Sequence, residues 1–251
     1  MAGPRRTPPQ TPQQAFGRAP GLASGQSPGQ ATGRAPGQAS EPAVEPAPAR
    51  ASLRCFIGLP LPTAWGLGLD ALAQGLAERL ASRISWTRPG NWHVTLKFLG
   101  EVEVARLPEV IRALRGVDFS PFALRLGGAG FFAQSATPRT LWAGLAQGGE
   151  DCARLAGAVD QALEPWGLWP RSGAYRPHVT LGRVKQPCEG DDWRDAAALV
   201  SGELSGARFC PAQVGEIILW RSVLGPLGPK YAAVEGYPAR DHGGRSEEGT
   251  A

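Results

Sequence analysis

Between positions 52 and 238 the apolar residues switch repeatedly between a two-residue and a three-to-four-residue spacing, the periods of strand and helix. Leu53-Arg54-Cys55-Phe56-Ile57-Gly58-Leu59 reads as a strand that Pro60 and Pro62 stop. Thr63 is placed to cap a helix carrying Trp65, Leu69, Leu72, Leu76 and Leu80 on one side. Positions 84–87 predict a short strand, Pro89-Gly90 a turn, and 93–99 a stronger strand. A helix over 105–115 groups Leu107, Val110, Ile111 and Leu114, and strands follow over 122–126 and 140–145. A helix over 151–163 carries Leu155, Val159 and Leu163 inward; strands over 177–184, 214–222 and 231–237 complete the pattern. Strands and helices mix without strict alternation, which favours an α+β domain with antiparallel pairing over a doubly wound parallel sheet.

Composition sets the limits of that domain. Residues 1–51 hold ten Pro, seven Gly and eleven Ala, and after Met1 their only large apolar residues are Phe16, Leu22 and Val44. So little apolar surface does not offset the roughly 1–2 kcal/mol per residue lost on ordering a backbone. The segment is expected to be a disordered tail, although it repeats an octapeptide: GRAPGLAS from Gly17, GQSPGQAT from Gly25 and GRAPGQAS from Gly33. The folded unit is expected over 52–238, with a second polar tail over 239–251 that includes His242.

The net charge of +4 shrinks on inspection, because the first 51 residues carry five Arg against two acids. A nearly neutral domain does not demand a long nucleic-acid surface, but it leaves room for a small basic pocket. No stretch approaches the about 20 apolar residues of a membrane span. Arg5 and Arg6 lead into Thr7-Pro8-Pro9-Gln10 rather than an apolar signal core. The expectation is a cytoplasmic protein that does not engage membranes. Cys55, Cys152, Cys188 and Cys210 are scattered, with neither a C-x-x-C pair nor zinc-finger spacing, so reduced thiols and no metal or cofactor are expected.

The candidate chemistry lies in a duplication. Trp92-His93-Val94-Thr95-Leu96 and Pro177-His178-Val179-Thr180-Leu181 share HVTL, 85 positions apart, in a chain with three histidines. On a strand, His93 and Thr95 project to one face, as do His178 and Thr180, while Val94, Leu96, Val179 and Leu181 point to the other. An approximate two-fold relation between the strands directs both His-x-Thr faces into one cleft. Two imidazoles with an ordinary pKa near 6.5 suit general acid–base catalysis, and the threonine hydroxyls suit the nonbridging oxygens of a phosphate.

Taken with Arg54-Cys55-Phe56-Ile57-Gly58-Leu59-Pro60, His93 to Glu101, Pro138-Arg139-Thr140-Leu141-Trp142-Ala143-Gly144, Arg176-Pro177-His178-Val179-Thr180-Leu181 and Arg221-Ser222-Val223-Leu224-Gly225, the chain resembles the two-histidine (2H) phosphoesterases. It is most similar to their RNA 2′,3′-cyclic phosphodiesterase branch, also called 2′-5′ RNA ligases. The resemblance covers about residues 53–237. It implies a bilobal fold of two pseudo-symmetric antiparallel-sheet lobes, with outer helices and a central cleft. It also implies metal-independent opening of an RNA 2′,3′-cyclic phosphate end, or of a short oligonucleotide, to a 2′-phosphomonoester by a monomer, with ligation as the reverse direction.

By analogy His93 is the general acid and His178 the general base, assisted by Thr95 and Thr180. Phe98 is a base-stacking platform and Arg183 a phosphate or ribose contact; strict alternation would place both opposite the histidines. Arg139, Arg176 and Arg221 are weaker phosphate-binding candidates, and Trp86, Trp92 and Trp142 candidate groove residues. Gly182, standing where relatives often have a bulkier residue, is expected to loosen its strand. Rival readings are a 2H esterase for small cyclic nucleotides and a noncatalytic RNA-end binder. A metallophosphatase is disfavoured because no carboxylate or cysteine cluster adjoins the histidines in sequence.

Overall fold

The computed structural model describes residues 51–135, 137–167, 173–225 and 228–240. The N-terminal repeat and His242 lie outside the described residues. The elements are β1 (Ser52–Pro60), α1 (Thr63–Arg79), β2 (Arg83–Trp86), β3 (His93–Glu103), α2 (Leu107–Arg115), β4 (Phe122–Gln134), β5 (Thr137–Gln147), α3 (Gly149–Leu163), β6 (Val179–Gln186), α4 (Trp193–Leu204), β7 (Ala212–Val214), β8 (Glu216–Gly225) and β9 (Gly228–Pro238).

The strands run in the order β7-β4-β5-β6-β3-β1-β8-β9, with β2 pairing to the far part of β6. Every pairing is antiparallel, as the mixed element order predicts. Two four-strand halves, β7-β4-β5-β6 and β3-β1-β8-β9, meet through the single pair Val94–Val179. Helix α3 packs on β3 and α2 on β9, while α4 packs on β4 and α1 on β6. The fold is therefore α+β and bilobal, each half carrying its own helices.

The core is a continuous set of strand and helix side chains that includes Ile57, Leu59, Leu69, Leu76, Val94, Leu96, Val159, Val179, Leu181, Val200 and Leu219, each at most 1% exposed. Burying a side chain of this kind contributes about 1.5–3 kcal/mol, so the strands bearing HVTL are held from behind. Two local readings change. Pro62, not Thr63, occupies the N-cap of α1, and no side chain caps that end. Helix α4 joins the fold as an unforeseen element: the Asp192 carboxylate accepts the Arg194 and Asp195 backbone N–H groups, and Trp193, Ala196, Val200 and Leu204 form its buried stripe.

Candidate active site

His93 opens β3, and His178 immediately precedes β6. Val94 pairs with Val179, the same residue of each HVTL copy. An antiparallel pair between equivalent residues has a local two-fold axis through it, which relates His93 to His178 and Thr95 to Thr180, while the antiparallel register sets each histidine toward the other strand's threonine. The four predicted site residues are thereby brought together, and all four are half-buried where their valine and leucine neighbours are fully buried.

The two histidines are held alike. His93 Nδ1 lies 2.7 Å from the carbonyl of Asn91, and His178 Nδ1 lies 2.7 Å from that of Arg176. A carbonyl only accepts, so each Nδ1 carries the hydrogen and each neutral ring presents Nε2 as the atom that exchanges a proton. The threonines are fixed through their backbones: Tyr175 Oη donates to the Thr95 carbonyl at 2.9 Å, and Thr87 Oγ1 to the Thr180 carbonyl at 2.7 Å. Tyr175 and Thr87 thus support the site without having stood out in the sequence.

A matched irregularity brings the next two candidates round. In the β1–β3 pairing, Ile57 faces Lys97 and Gly58 faces Thr95, so Leu96 is an extra residue in β3. In the β5–β6 pairing, Leu141 faces Gly182 and Trp142 faces Thr180, so Leu181 is the extra residue in β6. A bulge restarts the alternation one residue late. Consecutive residues Leu96 and Lys97 are therefore both buried, as are Leu181 and Gly182. Phe98 and Arg183 return to the faces bearing His93 and His178, correcting the strict alternation that set them opposite. Phe98 is 61% exposed, with its ring centroid 6.2 Å from Phe56, whose own ring lies 4.8 Å from His93.

Each imidazole sits among aromatic rings. Phe56, Trp220 and Tyr231 surround His93 at centroid distances of 4.8, 5.9 and 5.3 Å. Phe132 and Trp142 flank His178 at 5.0 and 6.5 Å. Burial pushes the His93 pKa down to about 4; the hydrogen bond to Asn91 opposes it, and the charges of Arg183 and His178 add smaller downward contributions. Burial also lowers His178, again with help from Arg183. Arg183 therefore acts electrostatically on both rings, as a residue at the cleft does.

The weaker candidates separate. Arg221 pairs with Cys55, whose side chain belongs to the core, so it lies on the opposite face of the sheet. Arg139 is exposed at a bulged position where the β4–β5 register slips, outside the rows that carry the site. Arg176 contributes its backbone carbonyl to His178, and its side chain is exposed. Trp92 is buried and donates Nε1–H to Asp70, so it is a core residue, whereas Trp142 stands beside His178. Gly182 does not loosen its strand: a Cβ there would lie 2.6 Å from Ile84 Cγ2 and 2.9 Å from Trp86 Cε3, so β2 fills the space a side chain would take.

The comparisons with known proteins agree with this geometry. The sequence profile described as LigT like Phosphoesterase matches residues 59–142, which include the first His-x-Thr strand. The RNA 2′,3′-cyclic phosphodiesterase of Methanothermobacter thermautotrophicus is 35% identical over 158 residues, covering 61% of this chain and 82% of that protein. The enzyme of the same name from Archaeoglobus fulgidus is 33% identical over 150 residues, covering 60% and 81%. Among solved structures, TT0787 of Thermus thermophilus superposes with a TM-score of 0.58 at 26% identity, over 75% of this chain and 98% of that one. LigT of E. coli, solved with 3′-AMP, shares the fold at a TM-score of 0.57 and 20% identity, over 75% and 99%. With two His-x-Thr strands joined at their equivalent valines and relatives covered over most of their length, this chain belongs to the LigT-like 2H phosphoesterases, the family of the RNA 2′,3′-cyclic phosphodiesterases.

Proposed function

We propose that this protein hydrolyses RNA 2′,3′-cyclic phosphate ends to 2′-phosphomonoesters without a metal, using His93, Thr95, His178 and Thr180. The observation that carries the reading is the matched pair of Nδ1–carbonyl bonds, which present one exchangeable nitrogen from each half of the fold. His178 Nε2 takes a proton from water as the water oxygen bonds to phosphorus. The P–O3′ bond breaks, and His93 gives its Nε2 proton to O3′. Thr95 and Thr180 donate hydrogen bonds to the nonbridging oxygens, whose charge grows in the transition state. Phe98 stacks on the terminal base, and Arg183 holds the phosphate or ribose. Ligation of a 2′-5′ bond is the reverse traffic through the same site.

Both rings are neutral at pH 7 in the free site, because burial and Arg183 lower their pKa values. The negative charge of the substrate favours entry of the single proton the cycle needs. The deeper depression at His93 favours a second reading, in which His93 is the base and His178 the acid. A substrate with sulfur in place of O3′ separates the two: a thiolate leaves without protonation, so only the variant lacking the acid recovers its rate.

The test is turnover of an oligoribonucleotide ending in a 2′,3′-cyclic phosphate, in excess EDTA, with the product's phosphate position resolved. A 2′-phosphate product formed in EDTA is the expected result. A requirement for added divalent ion, a 3′-phosphate product, or binding without turnover overturns it, the last in favour of a noncatalytic end-binder. The catalytic unit is residues 52–238, acting as a monomer.

A further inference from the structure

One row of residues beside the histidines has no part in the chemistry above. On β1, Cys55, Ile57 and Leu59 belong to the core, which leaves Arg54 and Phe56 on the face of the site. Phe56 lies in register with Phe98 on β3 and with Trp220 on β8, forming the row against His93. One repeat further along, Arg54 lies in register with Ser222 of β8, and Ser222 with Tyr231 of β9. Arg54, Ser222 and Tyr231 therefore stand side by side across three strands, about 5 Å per strand and about 7 Å from the preceding row.

The near end of this row reaches the reacting groups. Tyr231 sets its ring edge-on to His93, with centroids 5.3 Å apart and planes 89° apart. Burial raises its phenol, and the positive charges of Arg183 and Arg54 oppose that rise to a smaller extent, so the ring stands within reach of both the cleft arginine and an outer one. Arg54 is exposed and forms no ion pair among the described residues. Glu101 is its register neighbour on β3 and accepts the Ser52 hydroxyl at 3.0 Å. A guanidinium, a hydroxyl and a phenol aligned beside the aromatic row, with the neighbouring carboxylate, Glu101, engaged by Ser52, supply donors for an oxyanion.

We propose that Arg54, Ser222 and Tyr231 form a second phosphate subsite, which takes the phosphate on the 5′ side of the terminal nucleotide. The inference rests on the reaction proposed above. A 2′,3′-cyclic phosphate closes the 3′ end of its substrate, so any other phosphate reaches the enzyme from the 5′ side. One pleat repeat separates Arg54 from Phe56, whose ring contacts His93, so the next phosphate along the chain passes from the histidines over the aromatic row onto Arg54. The subsite makes an RNA end a better substrate than a cyclic mononucleotide.

The test compares kcat/KM for a 2′,3′-cyclic mononucleotide, the same compound with a 5′-phosphate, and a dinucleotide ending in the cyclic phosphate. The expected result is that either added phosphate raises kcat/KM about tenfold through KM, the scale of one charge-assisted hydrogen bond. An equal gain from both shows that the site reads a phosphate, and a gain from the dinucleotide alone shows that it reads a chain; each supports the subsite. Arg54→Gln and Tyr231→Phe each lower the dinucleotide-to-mononucleotide ratio several-fold. Arg54→Gln also flattens the slope of log kcat/KM against log salt by roughly 0.7. A neutral methylphosphonate at the internucleotide position removes both the gain and the effect of Arg54→Gln.

Equal rates on all three substrates in wild type, or equal losses on all three in the variants, overturn the subsite. If wild type turns over none of them, the reaction itself is refuted. Calorimetric binding of a dinucleotide 2′-phosphate against a mononucleotide 2′-phosphate then decides the subsite separately: tighter binding of the dinucleotide that Arg54→Gln abolishes supports it, and equal binding overturns it.

Discussion

The two HVTL strands start from the same four residues and share the same bulge, yet what lies before and behind each bulge differs. On β3 the second buried residue is Lys97, 5% exposed and ion-paired with Asp160 of α3. On β6 it is Gly182, covered by Ile84 and Trp86 of β2. In front, β3 presents an exposed aromatic ring at Phe98 and β6 a guanidinium at Arg183. His93 is also enclosed by three rings where His178 has two. The duplication thus fixes geometry, and the divergence sets the side chains: matched bulges place an exposed aromatic ring in one half and an exposed guanidinium in the other.

The largest effects come from removing what the halves share. His93→Ala and His178→Ala are each expected to lower kcat by about 10²–10⁴-fold, the contribution of a positioned acid or base. A loss confined to one variant breaks the symmetry argument. Next come the residues in which the halves differ. Phe98→Ala is expected to raise KM about tenfold or more, the scale of losing one base–aromatic stack, with kcat little changed. Arg183→Gln removes a positive charge that lowers both imidazoles, so the acidic limb of the kcat/KM profile moves to higher pH. An unshifted limb removes Arg183 from the cleft.

The backing of the bulges separates the halves by stability. Gly182→Ala drives a methyl into Ile84 and Trp86 and is expected to cost about 1–3 kcal/mol in urea unfolding. Unchanged stability contradicts the close cover by β2.

The enclosure of His93 has a consequence for acid stability. Its folded pKa, about 4, lies below the 6.5 of an unperturbed histidine. Between those values the unfolded chain binds more protons, so its contribution is fully present above pH 6.5 and is lost as pH falls through that window. His93→Gln should flatten the fall of Tm over this range, and an unaltered slope places the titration elsewhere. The smallest effect is expected from deleting residues 1–50, which should leave kcat/KM within about twofold if the tail is solvated chain; a larger loss gives the repeats a role in substrate capture.

The fold was largely legible because its elements carry strong periods. Leu155, Val159 and Leu163 marked α3, and alternation around His93 and His178 marked β3 and β6. Helix α4 was readable too: Asp192 before Trp193, Ala196, Val200 and Leu204 is a capped amphipathic pattern that short alanines made inconspicuous. The extension of β4 to Gln134, which brings Phe132 beside His178, was hidden because Gly127-Gly128 reads as a turn.

The repeated strand is legible from the order of residues alone. Identical HVTL motifs carry the same apolar–polar alternation, and a paucity of histidine makes their pairing informative. Alternation then fixes which side chains anchor the strand and which face the cleft. The direction of Phe98 and Arg183, and the place of Tyr231 and Arg54 beside them, emerge only once the chain is folded. A bulge is set by the register a strand keeps with its neighbours, and a cross-strand row by pairings between residues far apart in the chain. Neither leaves a local period to read.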